Sequence, residues 1–298
     1  MTAPRISAVG FSIQSEDGSV AGLEPALRAH ADLGVDAIEI AASSLDLVAG
    51  GRVLARPLAE LERLTRAFPF TYTVHGLVAS NFMDPATQDR QVRAALAMVE
   101  VCGAIGARIL VQHSGCVDAG QPGDRAGAEA RECDALRTVG DAAGRHGVRV
   151  ALENIFTTAP GQFRRTPSEV AAAVRQLDHP HVVALIDISH AWIEATHRGL
   201  DVRAELRAMA PVAGHLHVHD SFGQPEGATP FYYPAERTAL GLGDLHLPLG
   251  WGDIPWDAIA ADLAVLPGTV LMMEIGARYR AEHAACLGRA REIAARIG

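Results

Sequence analysis

Residues 149–189 read RVALENIFTTAPGQFRRTPSEVAAAVRQLDHPHVVALIDIS. Two short apolar runs rich in β-branched residues, 149–154 and 182–189, flank a segment with the apolar spacing of a helix. Between them, Thr166-Pro167-Ser168-Glu169 offers an N-cap, a proline at the first helical position and a capping-box glutamate. Strand, helix, strand in this order is the signature of a parallel βα unit. The same phrasing runs outward in both directions. Further strands are predicted at 6–13, 35–42, 70–76, 108–115, 213–220 and 269–276, with helical patterns such as 88–105 and 279–297 between them. Asp84-Pro85 repeats the helix-start signal. Eight such pairs fit either an open doubly wound sheet or a closed barrel. No glycine-rich phosphate loop follows the first strand and no break in composition divides the chain. The expectation is therefore a single (β/α)8 TIM barrel domain over residues 1–298.

Composition agrees with a large aliphatic core: 49% of residues are hydrophobic and only 5% aromatic. The opening MTAPRISAVGFSI has neither the apolar run nor the cleavage pattern of a signal peptide, and no later stretch approaches the roughly 20 apolar residues of a membrane span. The chain reads as cytoplasmic, with no membrane partner. Cys102, Cys116, Cys133 and Cys286 form no CxxC pair, so they read as reduced and packed. A net charge of −9 without a Lys/Arg-rich block argues against a nucleic-acid partner held through phosphates.

Late in six of the predicted strands stands a side chain able to bind a metal: His75, His113, Glu153, Asp187, His217 and Glu274. His190 follows Asp187 closely, and Asp244 and His246 lie in the segment after the seventh strand. Strand side chains alternate between lumen and helical shell, and an inward His217 leaves Leu216 and Val218 outward, as the aliphatic neighbours require. Nitrogen and oxygen donors without cysteine suit Zn or Mn, with Fe and Co also compatible. Their number exceeds the needs of one tetrahedral ion, so two or three ions are expected. Of the 13 histidines, His30, His146, His179, His181, His197 and His283 fall in helices or loops where surface placement is expected.

These residues resemble the xylose-isomerase-like TIM barrels, the superfamily of AP endonuclease family 2 and the sugar phosphate isomerases and epimerases. Glu153, Asp187, His217 and Glu274, in ALEN, LIDISH, HLHVHD and LMMEIG, resemble the single-metal site of ketose 3-epimerases and inosose isomerases. TVHG, VQHSG, IDISH and GDLHLPLGWG resemble the endonuclease IV patterns, and imply further ligands of a three-zinc cluster at His75, His113, His190, Asp244 and His246. The departures are specific. Val78 stands where the endonucleases carry Tyr, and their Asn-Asp-Ser-Lys becomes His219-Asp220-Ser221-Phe222. The epimerase pattern's substrate-contacting Glu and Arg fall at Ala159 and Gly223.

The sequence thus points first to a multinuclear metal hydrolase acting on a small phosphorylated or sugar-like substrate. The alternative is a sugar isomerase or epimerase with Glu153 and Glu274 as acid and base and His190 as a further catalytic group. Cleavage of abasic DNA stands behind both. Glu39, at the end of the second strand, would hold a substrate hydroxyl or else bond a neighbouring amide or Arg. Residues 222–248 form a long insertion, either a lid presenting Tyr232 and Arg237 to substrate or a contact between copies in a homo-oligomer.

Overall fold

The computed structural model describes residues 5–119, 125–225, 227 and 230–298. Its strands are β1 (Ile6–Ile13), β2 (Ala37–Ala41), β3 (Thr71–His75), β4 (Ile109–His113), β5 (Arg149–Glu153), β6 (Val182–Asp187), β7 (Ala213–Val218) and β8 (Thr269–Met273). They pair in sequence order, all parallel, and β8 closes onto β1. Every predicted strand is present, trimmed by a few residues at most ends.

The helices are α1 (Glu24–Leu33), α2 (Ala55–Thr65), α3 (Gln88–Ile105), α4 (Arg125–Arg145), α5 (Pro167–Leu177), α6 (Ile188–Arg198), α7 (Val202–Met209), α8 (Pro234–Leu240), α9 (Trp256–Asp262) and α10 (His283–Arg296). At the start of α5, Thr166 Oγ1 accepts from the Glu169 amide and Glu169 Oε2 accepts from the Thr166 amide, which completes the predicted capping box. Asp84 closes a turn ahead of α3 rather than capping it, because its carboxylate accepts from Ala86 and Thr87. The helical pattern of 279–297 resolves into a 3-10 turn over Ala277–Glu282 followed by α10.

Alternation along the strands separates two apolar environments. Outward residues such as Ile38, Val74, Leu152, Ile186 and Leu216 join the core between barrel and helices. Each such side chain contributes about 1.5–3 kcal/mol by leaving water. Inward residues fill the lower lumen: Ala8, Ala37, Val270 and Met272 on one side, and Ile109, Val111, Ala151, Val183 and Leu185 on the other. Gly10 is required where β1 meets β2, since a Cβ there would lie 1.9 Å from the Ala37 carbonyl oxygen. Above this plug the lumen turns polar, with Glu39, Thr73 and His215 fully buried below the strand ends that carry His75, His113, Glu153 and Asp187.

Two short antiparallel pairings organise the loops: Val48–Ala49 with Arg52–Val53, and Cys116–Val117 with Phe163–Arg164. The second joins the loops after β4 and β5. No helix among the described residues is long and apolar enough to cross a membrane. The four cysteines are free, with Cys102 and Cys286 buried.

Candidate active site

Strand ends bring His75, His113, Glu153, Asp187, His217 and Glu274 to the mouth of the lumen, and His190 joins them from the first turn of α6. Glu153 is their hub. Its Oε2 lies 3.5 Å from His75 Nε2 and 3.3 Å from His113 Nε2, while its Oε1 lies 3.3 Å from His190 Nδ1 and 3.4 Å from His217 Nδ1. Glu274 Oε2 is also 3.4 Å from His217 Nδ1, and Asp187 Oδ2 is 4.0 Å from it. The quartet of Glu153, Asp187, His217 and Glu274 therefore converges on one imidazole nitrogen.

Hydrogen bonds fix which nitrogen each histidine presents. His75 donates Nδ1–H to the Gly76 carbonyl at 3.1 Å, His190 to Asn154 at 3.1 Å and His246 to Glu274 at 2.8 Å. That turns their Nε2 atoms toward the facing carboxylates of Glu153 and Asp244, where a cation would take the place of the shared proton. His217 is set the other way round, with Nε2 3.0 Å from Glu39 Oε1 and Nδ1 facing the carboxylates.

Asp244 and His246 reach the mouth because their loop is tied to the end of β7. Asp220 and Leu247 exchange backbone hydrogen bonds at 2.9 and 3.1 Å, and Asp220 Oδ2 accepts from the Gly250 amide and from Trp256 Nε1. A Cβ on Gly252 would meet the Ser221 carbonyl oxygen at 2.2 Å, which explains the second glycine of LGWG. His246 itself holds a φ of 48°, a left-handed backbone that a non-glycine residue adopts at a cost. Asp244 Oδ2 then sits 3.3 Å from His190 Nε2 and 2.9 Å from His246 Nε2.

Electrostatics reflect this crowding. Burial raises the Glu153 carboxyl, but His113, His190, His217 and His75 outweigh it and hold it well below the usual range. Burial lowers His75 and His246, yet the facing carboxylates carry them up to about 9 and about 10. His113, with burial dominant, falls to about 3.

The donor set fits divalent metal. Both Glu153 oxygens, Asp244 Oδ1 and His217 Nδ1 are buried without a hydrogen-bond partner among the described residues. Such orphaned groups are costly unless a cation satisfies them. Groupings of three or more close donors occur at His75, His113 and Glu153, at His75, His217 and Glu274, at Asp187, His190 and His219, and at His219, Asp244 and His246.

Beside the cluster opens a cavity of about 600 Å³ lined by His75, His113, Glu153, His190, Asp244, His246 and Glu274, with Val78, Phe156, Arg164 and Arg280 among its walls. The remaining predicted contacts are placed elsewhere. Glu39 lies beneath the site, accepting from Thr73 Oγ1 at 2.9 Å and 2.8 Å from His215 Nε2, so its partners are neither a backbone amide nor an Arg. Tyr232 is 89% exposed, and Arg237 lines a separate depression behind Asp244. Of segment 222–248, residues 226 and 228–229 lie outside the described residues.

The family model of the xylose isomerase-like TIM barrel matches residues 27–294. The chain belongs to this family. Solved structures with similar folds include a D-tagatose 3-epimerase-like protein, at 17% identity and a TM-score of 0.72 over 96% of this chain and 98% of that one. D-Psicose 3-epimerase from Clostridium cellulolyticum H10, determined with D-tagatose, matches at 19% identity and 0.70 over 96% and 99%. The 3-keto-D-glucoside 4-epimerase from E. coli matches at 17% and 0.65 over 96% and 99%. No curated protein matches the sequence. In this xylose isomerase-like barrel, one placement departs from what the sequence predicts, and two histidines at the site were not singled out by it. His30, expected at the surface, is buried, with its ring 4.8 Å from Phe11. His215 and His219 flank His217 on the same face of β7 and its extension, and both are fully buried at the site. The alternation His215-Leu216-His217-Val218-His219 carried that signal.

Proposed function

We propose that this chain is a divalent-metal-dependent isomerase or epimerase of a small polyhydroxylated carbonyl compound, a keto sugar or its close relative. One observation carries the reading: Glu153 and Glu274, from β5 and the end of β8, both stand 3.4 Å from His217 Nδ1 and both line the cavity. A divalent ion held by Glu153, Asp187, His217 and Glu274 would supply Lewis acidity to a substrate carbonyl. The two glutamates supply the proton chemistry. One, ionised, takes the proton from the carbon beside the carbonyl, and the other, carrying a proton drawn from solvent, gives it to the opposite face, which inverts that carbon. His190, held by the Asn154 carbonyl, lines the same cavity and is placed to hold a substrate hydroxyl. Ile155, Phe156 and Ile275 give the cavity apolar walls beside the glutamates.

This reading reverses the order of the sequence expectation. The similar structures named above are sugar epimerases, and none of them supports hydrolysis. A hydrolytic second reading rests on one feature, the donors at His75, His113, Asp244 and His246 that exceed the needs of a single ion. Metal-loaded protein assayed on a panel of ketoses and sugar phosphates, with epimer ratio and free phosphate followed together, separates the two. Epimer exchange without phosphate release is the expected result. Phosphate release without epimer exchange would falsify the proposal. We further propose a cytoplasmic location and a small-molecule substrate, since the −9 charge and the partly apolar cavity suit neither DNA nor a membrane surface.

A further inference from the structure

Two arginines stand in the cavity wall, and the reaction proposed above uses neither. Arg280 is balanced, with Nη2 3.1 Å from Glu16 Oε1. Arg164 is half-buried and forms no ion pair among the described residues. Its guanidinium is set by its neighbours. The pairing of Cys116–Val117 with Phe163–Arg164 ties the loop after β5 to the loop after β4, Nε donates to Gln162 Oε1 at 3.1 Å, and Nη1 donates to the Ser114 carbonyl at 3.2 Å. Ser114 follows His113 and donates its amide to the Glu153 carbonyl at 3.0 Å, so the arginine is fastened to the strand ends that carry these two residues. Nη2 donates to no group among the described residues and is not sealed from solvent. Burial pulls the guanidinium below the usual arginine range, against the weaker pull of Cys116, Glu194 and Asp118. Both of those carboxylates are engaged elsewhere: Glu194 accepts from Thr157 and Arg198, and Asp118 accepts from Gln162 Nε2 at 3.0 Å.

A half-buried cation without a counter-charge is costly unless a bound molecule supplies one. Bracing the two loops takes Nε and Nη1, which leaves over the charge and the two N–H bonds of Nη2. We propose that Arg164 receives an anionic group of the substrate, a carboxylate or a phosphate, and so makes the enzyme selective for an acidic keto sugar. The proposal rests on the keto-sugar reading above and narrows it. A guanidinium already held in place meets the oxygens of either group with charge-assisted hydrogen bonds, the stronger kind, and loses little side-chain freedom in doing so. Because the loops after β4 and β5 carry it, the charged end of the substrate lies on that side of the mouth. Arg280 and Glu16 stand across from it, in the turn after β8 and the loop after β1.

The test measures equilibrium binding to the metal-loaded full chain of sugars that differ in one group: D-fructose, its 1-phosphate and 6-phosphate, and D-fructuronate, whose terminal carbon is a carboxylate. At least one acidic form is expected to bind more tightly than D-fructose, and which of them does so identifies the anion. Arg164→Gln is expected to lower that preference by about 10–150-fold, the worth of hydrogen bonds to a charged group. In wild-type protein the preferred acid is expected to shield Arg164 from phenylglyoxal more than D-fructose does, read by peptide mass. This second readout decides even where the variant does not fold, and equal shielding overturns the proposal. So does a wild-type protein that prefers no acidic form, or a preference unchanged in Arg164→Gln, which would place the anion on the metal alone. Equal weakening of D-fructose and the acids in the variant overturns it too, since the arginine would then be a brace and nothing more. Binding is read without turnover, so an absence of epimer exchange counts against the keto-sugar reading and leaves these measurements standing.

Discussion

His217 offers Nδ1 to Glu153 and Glu274 because Glu39 Oε1 sits 3.0 Å from its other nitrogen. Glu39 is fully buried, yet His217 and His215 keep its carboxyl well below the usual range against the cost of burial. In the reading proposed here it positions His217 and lines no part of the cavity. Replacing it by Gln should therefore weaken divalent-metal affinity by about 10–100-fold, read by competition with a chromophoric chelator, while the secondary structure persists. Unchanged affinity would remove this role. At the level of single residues, the clustering of His, Asp and Glu late in the strands was legible because a carboxylate buried at the end of an apolar run demands a cationic or hydrogen-bonding partner. The partners were not legible. Whether Glu39 meets substrate or a second histidine depends on its depth in the lumen, and strand periodicity fixes the face but not the depth.

Among the elements, β1, α1 and α10 meet through three rings. His283 stacks on Phe11 with centroids 4.4 Å apart, and His30 lies 5.2 Å from His283. Burial foremost, then His30 and Arg280, hold His283 down to about 4. An imidazole with a folded pKa below its unfolded value of about 6.5 gains its proton first in the unfolded chain. The stability of the neutral ring is thus complete above about pH 6.5 and is lost as pH falls toward 4. Thermal melts at about pH 7 and about pH 5 should show a smaller acid-induced drop for His283→Phe, which keeps the stack without the titrating group. An equal drop in both proteins would contradict this. Strand and helix positions were readable here because their apolar periods differ, about 2 against about 3.6. His30 was not, since a histidine on an amphipathic helix looks alike whether it faces solvent or a strand. The 222–248 segment was harder still, because aromatic and proline-rich stretches without a period specify no orientation; its described residues are ordered by the short α8, by the bridge between Gln224 and Leu242 and by the anchoring of Asp244 and His246 through Asp220.

Over the whole molecule, the barrel gathers donors that are far apart in sequence, from His75 to Glu274, onto one mouth. This convergence could be read in advance, since parallel βα units must place all strand ends on the same side. The activity could not, because the same donors serve sugar chemistry and phosphoester chemistry within one family. Val78, 57% exposed at the cavity rim, offers an aliphatic surface to anything entering. Together with the −9 charge it predicts no nicking of an abasic duplex oligonucleotide at any salt concentration, and efficient nicking would contradict the small-molecule reading.

The central claim, proton transfer by Glu153 and Glu274 at the carbon beside a carbonyl, is tested most directly by turnover in D2O. With metal-loaded protein and a ketose that it epimerises, the account predicts solvent deuterium at the inverted carbon. Glu153→Gln or Glu274→Gln should slow this incorporation by about 10²–10⁴-fold with the fold intact by circular dichroism. Inversion without deuterium, or incorporation at the wild-type rate in either variant, would contradict it.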